Sequence, residues 1–287
     1  MRKVNVIAFR MLMLLFCAAS AICCTEDLRD KKVQSFDLCF EVFTSPNTKA
    51  QTGEDNSYAV GAYDSNTRES ILESMPLQRN NGLWYPVAQY DWKEGLALDF
   101  YAASPMGYAR FDSEKGVCFD SYDTSLGYDL LYVEPVLGWK AEQTMGLVSL
   151  TFKRAMSLVR VYLKEELPSS SVLLVKNLSV DGLKHKGSFC SLPEPHWTME
   201  GESAPLLLWE GQLDSFEEQV PLCESYVLPQ SVKLDFSLLC DVRTGISLLD
   251  NQTLSASTEM VMRPGKLYEL YLTVTEHLTL KIERNII

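Results

Sequence analysis

The sequence predicts an all-β protein assembled from antiparallel sandwiches, and three observations predict it. Apolar and polar residues alternate with a period of two in short runs along most of the chain. Gly, Pro and Asn clusters punctuate those runs at near-regular spacing. Patterns of helical length are scarce, which leaves sheets to bury the apolar faces. The 287 residues suffice for two ordinary domains or one large one, and 46% hydrophobic content can fill a core. A formal charge of −12 argues against a nucleic-acid partner, which needs a basic footprint.

The first residues belong to targeting rather than to the fold. Arg2, Lys3 and Arg10 flank and interrupt an apolar segment that ends in small residues and Cys23-Cys24. This resembles a bacterial lipoprotein signal, whose first mature residue is an acylated Cys. Cys24, with Ala21 three positions upstream, is the expected lipid anchor; Cys23, preceded by the bulkier Ile22, is the alternative. Several acyl chains on one Cys anchor a globular protein stably, where one chain is marginal. Residues 1–23 are thus a signal peptide and 24–35, charged and short of apolar partners, a tether. Cys39, Cys118, Cys190, Cys223 and Cys240 follow without CxxC spacing, so neither a zinc knuckle nor a thioredoxin-like motif is present. Buried free thiols are expected.

Along the mature chain, Phe36, Leu38, Phe40 and Val42 alternate with Asp37, Cys39 and Glu41 as a first strand, broken by Pro46 and Gly53. Ser57 to Tyr63 reads as a second strand. Ile71 to Met75 is a short helix or an irregular crossing. Asn80-Asn81-Gly82 signals a hairpin turn. Leu96, Leu98, Phe100 and Ala102 mark a strand stopped by Ser104-Pro105. Val117 to Phe119 and Asp129 to Val133 continue the rhythm.

Leu147 to Leu163, LVSLTFKRAMSLVRVYL, fits two templates. Val148, Phe152, Ala155, Val159 and Leu163 lie at helical spacing. Val148, Leu150 and Phe152, then Val159, Val161 and Leu163, also alternate as two strands about a bend at Ala155-Met156-Ser157. The surrounding strands decide for the second. Glu165-Glu166-Leu167-Pro168-Ser169-Ser170-Ser171 has linker composition and divides a domain of residues 36–168 from one of 169–287. Beyond it, Val172 to Val175, Phe189 to Leu192, Leu206 to Trp209 and Leu234 to Leu238 are strands. The Arg263-Pro264-Gly265-Lys266 turn leads into Tyr268 to Val274, and Leu278, Leu280 and Ile282 form the last strand.

Catalytic signatures are absent: no GxSxG, HExxH, GxxxxGK[ST] or GxGxxG occurs. His185, His196 and His277 lack metal-ligand spacing, so neither a metal nor a cofactor is expected. Trp84, Tyr85 and Trp92, with Asp91 beside them, are raw material for a glycan platform, although such aromatics more often fill a core.

The ordered set of segments SPNTKA (45–50), YAVGAY (58–63), LDFYAASP (98–105), DLLY (129–132), VSLTFKRAMS (148–157), LPQ (228–230) and PGKLY (264–268) resembles the fimbrillin family, lipoprotein subunits of Bacteroidales-type (type V) fimbriae. The resemblance implies two tandem transthyretin-like β-sandwiches and no enzymatic activity. It also implies that a trypsin-like protease removes the first strand and that a neighbouring subunit's strand fills the groove left behind. On this chain the removable strand is Phe36, Leu38, Phe40 and Val42. The cleavage candidate is Lys49, with Arg68 less well placed, and the donor strand is Leu278, Leu280 and Ile282. Lys49 stands where family members often have Arg, and Arg154 where they often have His. The implied partners are other fimbrial subunits, the outer membrane through the lipid anchor, and a host or bacterial surface receptor. The expected role is a stalk, anchor or tip subunit contributing to adhesion; the alternative is a surface lipoprotein that binds glycans through Trp84, Tyr85 and Trp92.

Overall fold

Residues 33–44, 57–215, 217 and 219–287 are described by the computed structural model. Cys23, Cys24 and Lys49 lie outside them, as do the expected signal peptide and most of the tether. The described chain is all-β, and Phe36–Ile287 forms one compact unit.

The N-terminal strands are β1 (Ser35–Asp37), β2 (Cys39–Thr44), β3 (Ala59–Asp64), β4 (Ser70–Asn80), β5 (Leu83–Pro86), β6 (Asp91–Lys93) and β7 (Ala97–Ser104). They continue with β8 (Ala109–Asp112), β9 (Gly116–Asp123), β10 (Leu131–Val133), β11 (Val136–Lys140) and β12 (Leu147–Arg154). Eight of them form one sheet in the order β10-β12-β2-β5-β4-β3-β7-β11, and β10 also pairs with β7, so the sheet closes on itself. The ring leaves β11 as an edge strand paired only with β7. The interior is aromatic: Phe40, Trp92, Phe100 and Phe152 are fully buried within it. Asn81 and Gly82, both at positive φ, turn the expected hairpin between β4 and β5. Ile71 to Met75, expected as a helix or irregular crossing, is part of β4.

Strand β7 is buried on both faces. Leu98, Phe100 and Ala102 enter the barrel, whereas Tyr101 and Ala103 enter a second cluster outside it. That outer cluster is covered by a four-stranded sheet ordered β16-β15-β9-β8, with β13 (Ser157–Glu165), β14 (Ser171–Asp181), β15 (Lys186–Cys190) and β16 (His196–Glu200) next in the chain. Gly61 on β3 permits the close fit, because a Cβ there would lie 2.7 Å from the Phe111 ring.

The remaining strands are β17 (Leu206–Leu213), β18 (Cys223–Val227), β19 (Ser231–Thr244), β20 (Ser247–Val261), β21 (Leu267–Val274) and β22 (Leu280–Ile286). Two sheets, β18-β13-β21-β22 and β17-β14-β19-β20, enclose a mostly aliphatic core. In β14 the buried positions run 173 and 175, then 178 and 180. A register shift between Val175 and Asn177 resets the parity, keeping apolar side chains inside on both sides of the bulge.

Leu147 to Leu163 is two strands, as the alternation predicts, but they part company. β12 runs in the barrel, whereas β13 pairs with β18 and β21 of the C-terminal sandwich, not with the N-terminal sheet. The passage between them is Ala155-Met156, both fully buried. Residues 166–170 therefore connect two strands of one sandwich, β13 and β14, rather than two domains. Three of the buried backbone groups at the passage have identified partners. Ala155 N–H donates to Leu130 O, Trp197 Nε1 donates to Ala155 O, and Gly265 N–H donates to Met156 O, each at 2.8 Å.

Candidate functional site

The sequence points to the two ends of the folded chain, and their surroundings differ. The alternation in the first strand dictates that Leu38 and Phe40 face inward, and both are buried, with Phe36 and Val42 half-buried beside them. Phe40 meets Phe100 edge-on at 5.8 Å between ring centroids, and Phe100 in turn meets Trp92 at 5.2 Å. β2 runs parallel to β12 over six register pairs, Cys39↔Leu147 to Thr44↔Phe152. On its other side it meets β5 at a single pair, Phe40↔Trp84. The approach of β1 and β2 to β12 depends on Gly146, which has φ +85° and would place a Cβ 2.3 Å from Asp37 O. Lifting β2 away would open a slot lined by Val148, Leu150 and Phe152 on one wall and Trp84 on the other.

The last strand is an edge. β22 pairs only with β21, over seven register pairs from Leu280↔Val274 to Ile286↔Tyr268. Leu280 is buried and Ile282 half-buried, and the following residues are exposed. Leu278 is not in the strand: at φ +53° it lies in a turn where its N–H donates to Thr275 O at 2.9 Å. The strand therefore starts two residues later than the sequence alternation predicts. Between β22 and β20 lies an open groove of about 910 Å³ lined by Lys233, Glu259, Arg263, Lys266, Tyr268 and Arg284. Val232, Met260, Val261 and Ile286 line it as well, so its walls are mixed in character.

Arg68, the second cleavage candidate, is engaged. It lies at φ +65° in the turn after β3, and its Nη1 donates to Oδ2 of the buried Asp99 at 2.6 Å. Asp99 also accepts from Ser65 Oγ at 2.6 Å and Gly138 N–H at 2.7 Å. In the same turn the backbone N–H groups of Thr67 and Asn66 hold the Asp64 carboxyl below its usual range. Arg154 is buried and ion-paired with Asp129. Its Nε donates to Asp129 at 2.7 and 2.8 Å, and its guanidinium lies 5.5 Å from the Tyr226 ring centroid. Burial pushes the Asp129 carboxyl up to about 6, against the pull of Arg154.

Trp92 takes no part in an exposed aromatic platform. Trp92 has no exposed surface and its Nε1 donates to Leu96 O at 2.9 Å, so it cannot contact a glycan. Trp84 is half-buried, edge-on to Tyr58 at 4.8 Å, and Tyr85 is half-buried. What separates platform from core is whether a ring faces inward from its sheet, which local sequence does not state. Among the described residues, no three His, Cys, Asp or Glu side chains gather to hold a metal ion.

Known proteins of the same architecture have been found by comparison. The chain is similar to a fimbrial protein from Bacteroides vulgatus, with a TM-score of 0.63, 12% identity, and coverage of 88% of this chain and 99% of that one. It is similarly close to a candidate cell adhesion protein from Bacteroides uniformis, with a TM-score of 0.62, 13% identity, and coverage of 88% and 98%. A candidate cell adhesion protein from Bacteroides ovatus follows at a TM-score of 0.54 and 12% identity, covering 88% and 97%. At such identities these likenesses speak to the fold. No curated protein matches the chain. The sequence profile described as fimbrillin-like, however, matches residues 40–286, from the second residue of β2 to the last residue of β22. The chain belongs to the fimbrillin-like family.

Proposed function

We propose that the protein is a structural or accessory subunit of a cell-surface fimbria, assembled by strand exchange and contributing to adhesion. The observation that carries this is the placement of β2. It is an interior strand of a closed barrel, with buried alternate side chains, held by a full parallel ladder on one side and one pair on the other. A strand so placed leaves a preformed slot when it departs. An incoming strand would gain affinity from main-chain hydrogen bonds and register from side chains entering the slot. β22, already an edge, is the donor. Lipid attachment at Cys24, or at Cys23, would hold the subunit at the outer membrane, and cleavage after Lys49 would release β2. The role is one of assembly rather than catalysis, its partners being neighbouring subunits and a surface receptor.

The test is trypsin-treated protein run on a gel without boiling. A ladder that disappears when residues 280–287 are deleted supports strand exchange through β22. Protein trimmed after Lys49 that stays monomeric at high concentration overturns it.

A further inference from the structure

Outside the exchange surfaces, one pair of side chains stands apart. Cys118 on β9 and Cys190 on β15 are directly opposed partners in an antiparallel ladder, and their Sγ atoms are 2.8 Å apart. Optimally packed carbon atoms lie about 3.5–4.0 Å apart and sulfur is larger, so two thiols gain nothing from so close an approach unless they can bond. Ser191 N–H donates to Val117 O at 2.9 Å, which makes the cysteines a non-hydrogen-bonded pair. Such partners have Cα atoms about 4.5 Å apart, inside the range of about 4.4–6.8 Å that a disulfide spans. The other free thiols, Cys39, Cys223 and Cys240, have no cysteine partner among the described residues.

The register sets the surroundings of this pair. Arg110, Cys118, Cys190 and His196 are in register across β8, β9, β15 and β16, so their side chains share one face of the sheet. On the Cys118 flank the Arg110 guanidinium, itself paired with Asp112 and Asp120, pulls the thiol down only in part. Cys118 is fully buried, and burial together with Cys190 pushes its thiol up to about 12. Cys190 is partly exposed and is therefore the sulfur that meets an oxidant first.

We infer that Cys118 and Cys190 form a disulfide in the mature protein, a covalent staple between β9 and β15 taken from a disulfide-bearing oxidant by thiol–disulfide exchange. Cys190 gives its proton to solvent and attacks the oxidant's disulfide, forming a mixed disulfide and releasing one thiol. Cys118 then gives up its proton, attacks the Cys190 sulfur and expels the second. Two cysteine thiols are oxidised and one disulfide of the oxidant is reduced to two thiols. The bond closes a loop across 72 positions that contains β10 to β14 and the buried passage at Ala155-Met156. The oxidising setting rests on the cell-surface location proposed above.

The experiment maps thiols in the full chain in two settings: protein recovered from the cell surface, and protein purified under reductant and then treated with oxidised glutathione. Free thiols are alkylated and the peptides are mapped without reduction. The expected result is a peptide pair joined through Cys118 and Cys190 in both settings, with Cys39, Cys223 and Cys240 alkylated singly. Reduction should lower Tm by roughly 5–10 °C, given the length of the closed loop, and should leave the Tm of a C118A/C190A variant unchanged. Alkylation of both cysteines after glutathione treatment overturns the inference, as does a Tm that reduction leaves unchanged. A bond present after glutathione but missing in protein recovered from the cell surface overturns the staple as a feature of the mature protein, whereas failure to recover the protein from the cell surface overturns the proposed location instead.

Discussion

β2 and β22 are both short apolar strands near an end of the fold, yet they are held in opposite ways. β2 has neighbours on both sides and drives Phe40 into an aromatic barrel. β22 has one neighbour, and its side chains reach solvent within three residues of Leu280. The difference teaches which strand can leave a useful vacancy and which can leave without one. Removing an interior strand of a closed sheet creates a slot with two walls, whereas removing an edge strand merely creates another edge. A strand-exchanging subunit needs one of each.

Three substitutions break or sharpen that contrast. Phe40→Ala should be the most damaging, at about 3–5 kcal/mol by denaturant unfolding, because the barrel cannot collapse around the lost ring. Gly146→Ala should cost about 1–3 kcal/mol, since a Cβ meets Asp37 O in a backbone conformation that favours glycine. It should also loosen β2 selectively, seen as faster amide exchange at Phe40 and Val42 than in β22. Ile282→Ala should cost about 1 kcal/mol or less, as the side chain is only half-buried. Equal losses for Phe40→Ala and Ile282→Ala would erase the asymmetry on which the functional proposal depends.

Much of this was legible in the sequence, and its failures are specific. The alternation at Leu38/Phe40 is legible because one-sided burial imposes a period of two, whereas at Leu98/Phe100 successive side chains alternate between two buried clusters. β4 was obscured because Ser74 takes φ +44° and its pairing with β3 shifts register, leaving Leu72 and Leu77 buried at an odd separation. The apolar series Leu278, Leu280, Ile282 looked continuous. Yet Thr275 and Thr279 close a turn through their hydroxyls, 2.7 Å apart, and remove Leu278 from the strand. Which sandwich β13 joins is decided by partners about a hundred residues later, Leu267 to Val274, and no local pattern carries that. The proximity of Cys118 to Cys190 is likewise a fact of register. The aromatic cluster was ambiguous for a simpler reason: an inward and an outward Trp have the same neighbours in sequence.

The two parallel ladders have a mechanical consequence. β2 runs parallel to β12, β12 passes through Ala155-Met156 into β13, and β13 runs parallel to β21 over eight register pairs. Tension applied between the start of β2 and the end of β21 would slide each parallel pair lengthwise. It would load the slanted, evenly spaced hydrogen bonds of each ladder together instead of peeling them one at a time. A filament whose subunits carry force along this route would resist extension as a set of lap joints in series, each failing in shear.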